Sequence, residues 1–228
     1  MSTTFDLAAA PLRDLNRALH AIGPGDNRTT WDIVNPRGAH SVAVGVTEPV
    51  EITVRGNVGY YCGGMNENAT IRVEGSAGPG LGENIMSGTI RVTGDASQYA
   101  GATGRGGLIV IEGNASSRCG ISMKGVDIVV GGNVGHMSAF MAQAGRLVVL
   151  GDAGHGLGDS LYEADLYVRG TVASLGADCE EKPMDAEHRA ALAALLAEAG
   201  VEADPASFKR YGSARTLYHF NVDNADAY

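Results

Sequence analysis

Three sets of side chains in this 228-residue sequence have the right types to do chemistry. His136 and His155 stand 19 residues apart, and two imidazoles brought side by side are half of a zinc site. Asp159 and Asp178 share that separation, with Glu180 close by. Paired carboxylates can act as acid and base on a glycosidic bond, or hold a cation. Cys62, Cys119 and Cys179 are the thiols, but no CxxC pair occurs among them, so neither a zinc nor an iron–sulfur centre is supported. Two glycine-rich runs, Gly78-Pro79-Gly80-Leu81-Gly82 and Gly154-His155-Gly156-Leu157-Gly158, superficially resemble phosphate-cradling loops. Neither opens a helical pattern and no Walker lysine follows, so both are expected to be coil corners.

The recurring separation of 19 is a property of the whole chain. Gly56, Gly75, Gly94, Gly113, Gly132, Gly151 and Gly170 follow one another at that interval without a slip. Four positions before each is Ile52, Ile71, Ile90, Ile109, Ile128, Leu147 or Leu166, and two before is another β-branched residue. Asn57, Ser76, Asp95, Asn114, Asn133, Asp152 and Thr171 come directly after. Seven positions after each glycine a second small residue recurs, from Gly63 and Gly82 to Gly158 and Ala177.

Alternating branched apolar residues make a short strand with one buried face. The glycine and the short polar residue after it are expected to turn, through a positive φ and a side chain bonded to its own backbone. One strand per unit has no partner inside the unit and must pair with its copy in the next. The fold class is therefore all-β: a parallel β-helix of about seven coils, with equivalent residues stacked about 4.8 Å apart. A leucine-rich repeat lacks its leucines here, helical repeats run longer, and a left-handed hexapeptide helix prefers multiples of six. The right-handed form is expected.

The period re-sorts the reactive candidates. Cys62 and Cys119 are three periods apart, roughly 14 Å at the stacking distance, too far for a disulfide and suited to inward-facing core thiols. His136 and His155 should stack on adjacent coils. Their position is otherwise Tyr60, Pro79, Gln98 and Ser117, with no third ligand. Asp159 and Asp178 should also stack, but the other coils offer Gly64, Glu83, Ala102, Ile121 and Phe140 there, and a polysaccharide groove needs several acids and bases. Solvated or capping carboxylates are the better reading. No catalytic, cofactor-binding or metal-ligating residue is assigned.

The chain divides into an N-terminal extension over 1–40, the β-helix over 41–181 and a C-terminal helix and tail over 182–228. Leu12, Leu15, Leu19 and Ile22 share one face of a short helix near 10–22. A second helix runs from an Asp185 N-cap through Leu192, Leu195, Leu196 and Ala199 to Gly200, and Asp204-Pro205 starts another helical turn. Three positions before the ladder glycines the outward series runs Thr53, Arg72, Arg91, Val110, Val129, Val148, Tyr167. The last four make an apolar stripe that needs a cover, either the C-terminal helix or a partner subunit. A net charge of −9 argues against a nucleic-acid partner. No run is long enough to span a membrane and no signal-peptide core is present, so a cytoplasmic location is expected.

Several runs carry a family likeness. Gly59-Tyr60-Tyr61-Cys62-Gly63-Gly64-Met65-Asn66, Gly82-Glu83-Asn84-Ile85-Met86-Ser87-Gly88, Ala100-Gly101-Ala102-Thr103-Gly104-Arg105-Gly106-Gly107 and the segment from Gly154 to Asp159 resemble the GXGXG domain of the glutamate synthase large chain. Arg118-Cys119-Gly120-Ile121-Ser122-Met123-Lys124-Gly125, Gly135-His136-Met137-Ser138-Ala139-Phe140-Met141-Ala142-Gln143 and Tyr211-Gly212-Ser213-Ala214-Arg215 resemble the stand-alone GXGXG subunit of N-methylglutamate synthase. The likeness implies a right-handed β-helix that is a non-catalytic scaffold subunit in a hetero-oligomer of methylamine metabolism. An amidotransferase-like subunit and a glutamate synthase-like subunit carrying FMN and iron–sulfur clusters are the implied partners. The implied joint reaction turns methylamine and glutamate into N-methylglutamate and ammonia. A similar module in formylmethanofuran dehydrogenase is the alternative within the family, and a stand-alone β-helix carbohydrate-active enzyme is the alternative outside it.

Overall fold

The structure, a computed structural model, describes residues 2–216. A single sheet runs its length in the order β1-β2-β3-β4-β5-β6-β7-β8-β9-β11-β10. The strands are β1 (Ser2–Asp6), β2 (Thr30–Val34), β3 (Glu51–Arg55), β4 (Thr70–Val73), β5 (Thr89–Val92), β6 (Leu108–Ile111), β7 (Lys124–Val130), β8 (Ala144–Val149), β9 (Asp165–Val168), β10 (Cys179–Lys182) and β11 (Lys209–Ser213). From β3 to β9 all pairings are parallel, and Ile52, Ile71, Ile90, Ile109, Ile128, Leu147 and Leu166 stack in register. The β-solenoid of about seven turns expected from the period is therefore present. A second rung line, Val58, Ala77, Ala96, Ala115, Val134, Ala153 and Val172, stacks beyond the corner.

The corner is built differently from expectation. Of the seven ladder glycines only Gly56 has a positive φ, 130°. The polar residue after each glycine does not fold onto its own backbone; it reaches the next coil. Asn57 Oδ1 accepts from Ser76 N, Ser76 Oγ from Asp95 N, and Asp95 Oδ1 from Asn114 N. Asn114 Oδ1 then accepts from Asn133 N, Asn133 Oδ1 from Asp152 N, and Asp152 Oδ1 from Thr171 N, all at 2.7–3.2 Å. This explains the glycine. A Cβ on Gly75, Gly94, Gly113, Gly132, Gly151 or Gly170 would lie 2.2–2.7 Å from the side-chain oxygen below it. The same Cβ would lie 2.4–3.0 Å from the backbone of the glycine one coil below, so glycine is there for close approach both to that backbone and to the side-chain oxygen.

Positive φ is used after the corner. Each of the central coils has three left-handed residues at alternate positions: Tyr61, Gly63 and Met65, then Gly80, Gly82 and Asn84, then Tyr99, Gly101 and Thr103, with the same pattern through Met137, Ala139 and Met141. The two glycine-rich runs are this arc, with no phosphate loop in them. The left-handed amides point alternately forward and back along the axis. Tyr61 N bonds Pro79 O, Gly63 N bonds Val42 O and Met65 N bonds Glu83 O, at 2.8–2.9 Å. Intervening amides close short turns, such as Gly64 N to Tyr61 O at 3.1 Å. A left-handed conformation costs a non-glycine residue about 1–2 kcal/mol, and these bonds between coils offset it. Gly63, Gly82 and Gly101 also leave room for the Ile90, Ile109 and Ile128 Cδ1 atoms, which an added Cβ would meet at 2.4–2.7 Å.

Both ends are closed. The ladder begins before the exact repeat: Trp31 pairs with Ile52 across an interval of 21, and β1 pairs with β2 across 28. Helix α1 (Leu12–His20), in the β1–β2 connection, buries Leu15 and Leu19 with Trp31 and Ile33. Asn16 substitutes for a missing coil. Its Nδ2 donates to Ser41 O at 2.9 Å and its Oδ1 accepts from Ala43 N at 3.1 Å. At the far end β11 pairs antiparallel to β9 and β10 pairs antiparallel to β11. The reversal ends parallel stacking and leaves Glu180 and Glu181 exposed on the edge strand, where charge deters further pairing.

Helix α2 (Ala186–Glu198) is capped by Asp185, whose Oδ1 accepts from His188 N at 2.9 Å, and stops at Gly200 with φ +65°. Its buried Leu192, Leu195 and Leu196 pack on Val110, Val129, Val148 and Tyr167. The apolar stripe is thus covered by the chain's own helix, each buried side chain contributing about 1.5–3 kcal/mol. The Arg91 guanidinium donates to Ala199 O at the helix end. Where α2 does not reach, the outer face is polar: Arg55 bridges Asp32 and Glu74 at 2.7 and 2.8 Å, and Arg91 pairs with Glu112 at 3.2 Å.

Cys62, Cys119 and Cys179 are buried, unbridged thiols, and burial pushes each up to about 12. Below about pH 9, the ordinary thiol value, folded and unfolded chains hold the same thiol protons. Between 9 and 12 the unfolded chain releases protons that the folded chain keeps, so the thiols make stability fall as pH rises. The expected melting curve is insensitive to the thiols up to pH 9 and declines above it, with a shallower decline in Cys62→Ala/Cys119→Ala. An identical slope in that variant would refute the assignment. The corner makes a second prediction. Gly132→Ala should cost about 1–3 kcal/mol in urea unfolding, and Asn114→Ala about 1 kcal/mol. Together they should cost at least about 1 kcal/mol less than the sum, because truncating Asn114 vacates the space that the new Cβ needs. Additive losses would show that the side-chain oxygen is not the constraint.

Candidate functional site

The residues singled out for chemistry lie on the arc between corner and strand, or where the last coil meets the C-terminal segment. His136 and His155 are exposed on adjacent coils. His155 Nδ1 lies 3.3 Å from Ser174 Oγ, which also accepts from Gly156 N at 3.0 Å. Among the described residues no group of three or more His, Cys, Asp and Glu side chains is placed to hold a metal ion. Earlier in the same row, Tyr60 stacks on His40 with ring centroids 4.4 Å apart.

Asp159 and Asp178 do not stack as the interval predicts. Ala153 still pairs with Val172 at the regular spacing, but Leu157 pairs with Leu175, 18 residues on. The last coil has lost one residue at that point, so Asp159 lies against Ala177. Its Oδ2 accepts from Ala177 N at 3.2 Å and its Oδ1 from Ser160 Oγ at 2.8 Å. Asp178 turns to the C-terminal segment, accepting from Ser213 Oγ at 2.9 Å, from Thr216 N at 2.8 Å and from the Thr216 hydroxyl. Both carboxylates anchor backbone. Asp152, in the corner row, is held below the usual carboxylate range by the Thr171 N–H and hydroxyl.

Two clefts among the described residues bear on function. One, of about 280 Å³, lies at the C-terminal end between Tyr162, Glu163, Asp165, Lys182, Arg210, Ser213 and Arg215. Its charges neutralise one another: Arg210 Nε is 2.7 Å from Asp165 and Arg215 Nη2 2.5 Å from Glu163, while Lys182 is 2.6 Å from Glu180. The other, of about 300 Å³, lies on the arc of the first coils between Ser41, Val44, Tyr61, Gly64, Met65, Glu83 and Asn84, and is mostly apolar. Tyr60, Tyr61, Met65, Met86 and Met141 are each between 38% and 53% exposed, on the arc or at one of its ends. Sequence reasoning overlooked this surface because it sought apolar residues on the strand, where the repeat is clearest. The signal was available in the positions four, five, nine and eleven after the ladder glycines.

Asp159 and Asp178 serve the backbone, and the three thiols fill the core. No family model matches the chain. Among curated proteins it is similar to Protein GlxC of Rhizobium meliloti (strain 1021), with 66% identity over 225 residues that cover 98% of this chain and 99% of that protein. Identity of that extent, from end strand to C-terminal segment, places the chain in the GlxC family.

Proposed function

We propose that this protein is a scaffold subunit of a glutamate synthase-like complex, one that performs no chemistry of its own. The finer reading is N-methylglutamate synthase, joining methylamine and glutamate and releasing ammonia. An amidotransferase-like subunit handles the amino donor, and a second subunit carries FMN and iron–sulfur clusters. The observation that carries the proposal is where the family-like runs fall. Gly59 to Asn66, Gly82 to Gly88, Ala100 to Gly107 and Arg118 to Gly125 occupy the left-handed arc or run directly on from it. They include the exposed Tyr61, Met65 and Met86. Most of the resemblance is thus concentrated on the arc side of the coils, away from the apolar stripe that α2 covers. A stack of coils with capped ends, a sheet face partly covered by α2 and an open arc suits a spacer that holds other subunits at fixed separation.

The test is purification of the tagged chain from its native cell at native expression. The expected result is co-elution, in fixed ratio, with a flavin- and iron–sulfur-absorbing subunit and an amidotransferase-like subunit, in material that forms N-methylglutamate from methylamine and glutamate. Elution of the chain alone would end the proposal. Co-elution of those subunits without N-methylglutamate formation would retain the scaffold and discard the finer assignment.

A further inference from the structure

Charge is placed unevenly on this molecule. The chain carries 17 Lys and Arg residues against 26 Asp and Glu. Most cations are committed to carboxylates, and Arg169 and Arg189 bond backbone carbonyls instead. Among the described residues Arg37, Arg105, Arg118 and Lys124 have neither a carboxylate within 4.0 Å nor a side-chain hydrogen bond. Three of these four lie on two consecutive middle coils: Arg118 opens an arc, and Arg105 and Lys124 stand two residues past the last left-handed residue, Lys124 as the first residue of β7. Arg105 and Lys124 are neighbours in one row: Arg105 N bonds Ile85 O and Lys124 N bonds Gly104 O, each at 2.7 Å. Their exposed side chains leave backbones stacked about 4.8 Å apart, so two like charges are held together with no internal counter-ion.

The surroundings mix apolar side chains with neutral polar ones, exposed Gln143 following Lys124 in the row. Met86 precedes Arg105 in the row, and Met141 with half-buried Ile121 and Phe140 flanks Lys124. Flexible thioethers adapt to an opposing surface. The acids on this face stand on other coils, at Glu67 and Glu83 on earlier ones and at Asp159, Glu163 and Asp178 on later ones.

We infer that the arc face of the middle coils docks a different polypeptide, one that presents carboxylates among apolar side chains to Arg105 and Lys124. A second copy fits poorly, since a two-fold pairing through this face would set the cations against their own copies. The inference rests on the scaffold reading and specifies which surface does the holding.

The test uses the complex isolated from the native cell through this chain and treated with a water-soluble carbodiimide, which joins a lysine to a touching carboxylate. The chain has three lysines, Lys124, Lys182 and Lys209. Glu180 and Glu181 hold the latter two at 2.6 and 2.9 Å, so they form links within the chain. The expected result is a link from Lys124 to an Asp or Glu of a partner subunit. Arg105→Glu/Lys124→Glu should lower partner recovery at least tenfold without moving the melting temperature of the purified chain, while Lys124→Arg retains recovery and loses the link. Full partner recovery with the double variant and no Lys124 link would overturn the inference and leave the scaffold reading standing. A link from Lys124 to a second copy of this chain would overturn it in favour of self-assembly. Elution of the chain without any partner would overturn both.

Discussion

One short contact governs the molecule: a side-chain oxygen at the corner of each coil accepts the amide hydrogen of the equivalent residue one coil on. The contact explains two rows of the repeat together. The acceptor must be a short polar residue, hence Asn57, Asp95, Asn114 and their equivalents. The residue above has room for no Cβ, hence Gly75, Gly113 and Gly132, where the acceptor and the backbone of the glycine below both crowd that position. Each bond is individually worth about 1 kcal/mol, but it fixes the register of a whole coil, and with it every isoleucine stack in the interior. Because a one-residue slip would move inward side chains outward, a repeated register device at the corner keeps the narrow core filled.

Much of this was legible in the sequence, and the misses have physical causes. The strict interval gave the coil, the inward Ile and Val positions and the stripe that α2 covers, because stacking turns sequence period directly into spatial neighbourhood. The role of the ladder glycines was misread as conformational. Composition cannot distinguish a glycine needed for a dihedral angle from one needed for space above it. Positive φ fell instead on Tyr61, Met65 and Thr103, residues that propensity would never nominate, because contacts between coils override local preference there. The first rungs were missed since Trp31 and Ile33 keep the alternation of Ile52 and Val54 but at an interval of 21. A search for alternation, without a fixed interval, would have found them.

The reactive candidates show the same limit. Equal spacing placed Asp159 over Asp178 only as long as every coil kept its length, and the last one did not. The residue lost there frees Asp178 to bind the C-terminal segment, which then crosses the sheet in the opposite direction. Asx side chains at corners and αL turns are common acceptors for stray amides, and here that ordinary chemistry absorbs the carboxylates that looked most like a catalytic pair. Among the described residues, what is left without an internal partner is mainly basic and apolar, and most of it sits on the arc or directly past it.

The closed ends also have a consequence for motion. In a stack of rungs each coil is held by its neighbours, so a terminal coil detaches by breaking one interface and a central coil only by breaking two. Asn16 and the antiparallel β11 add a false neighbour at each end, but a thinner one than a full coil. Opening fluctuations are therefore graded along the axis, most frequent at the tips and rarest at the centre. Arg105, Arg118 and Lys124 ride on the coils that open least, so the part of the surface with charge to offer is also the stillest.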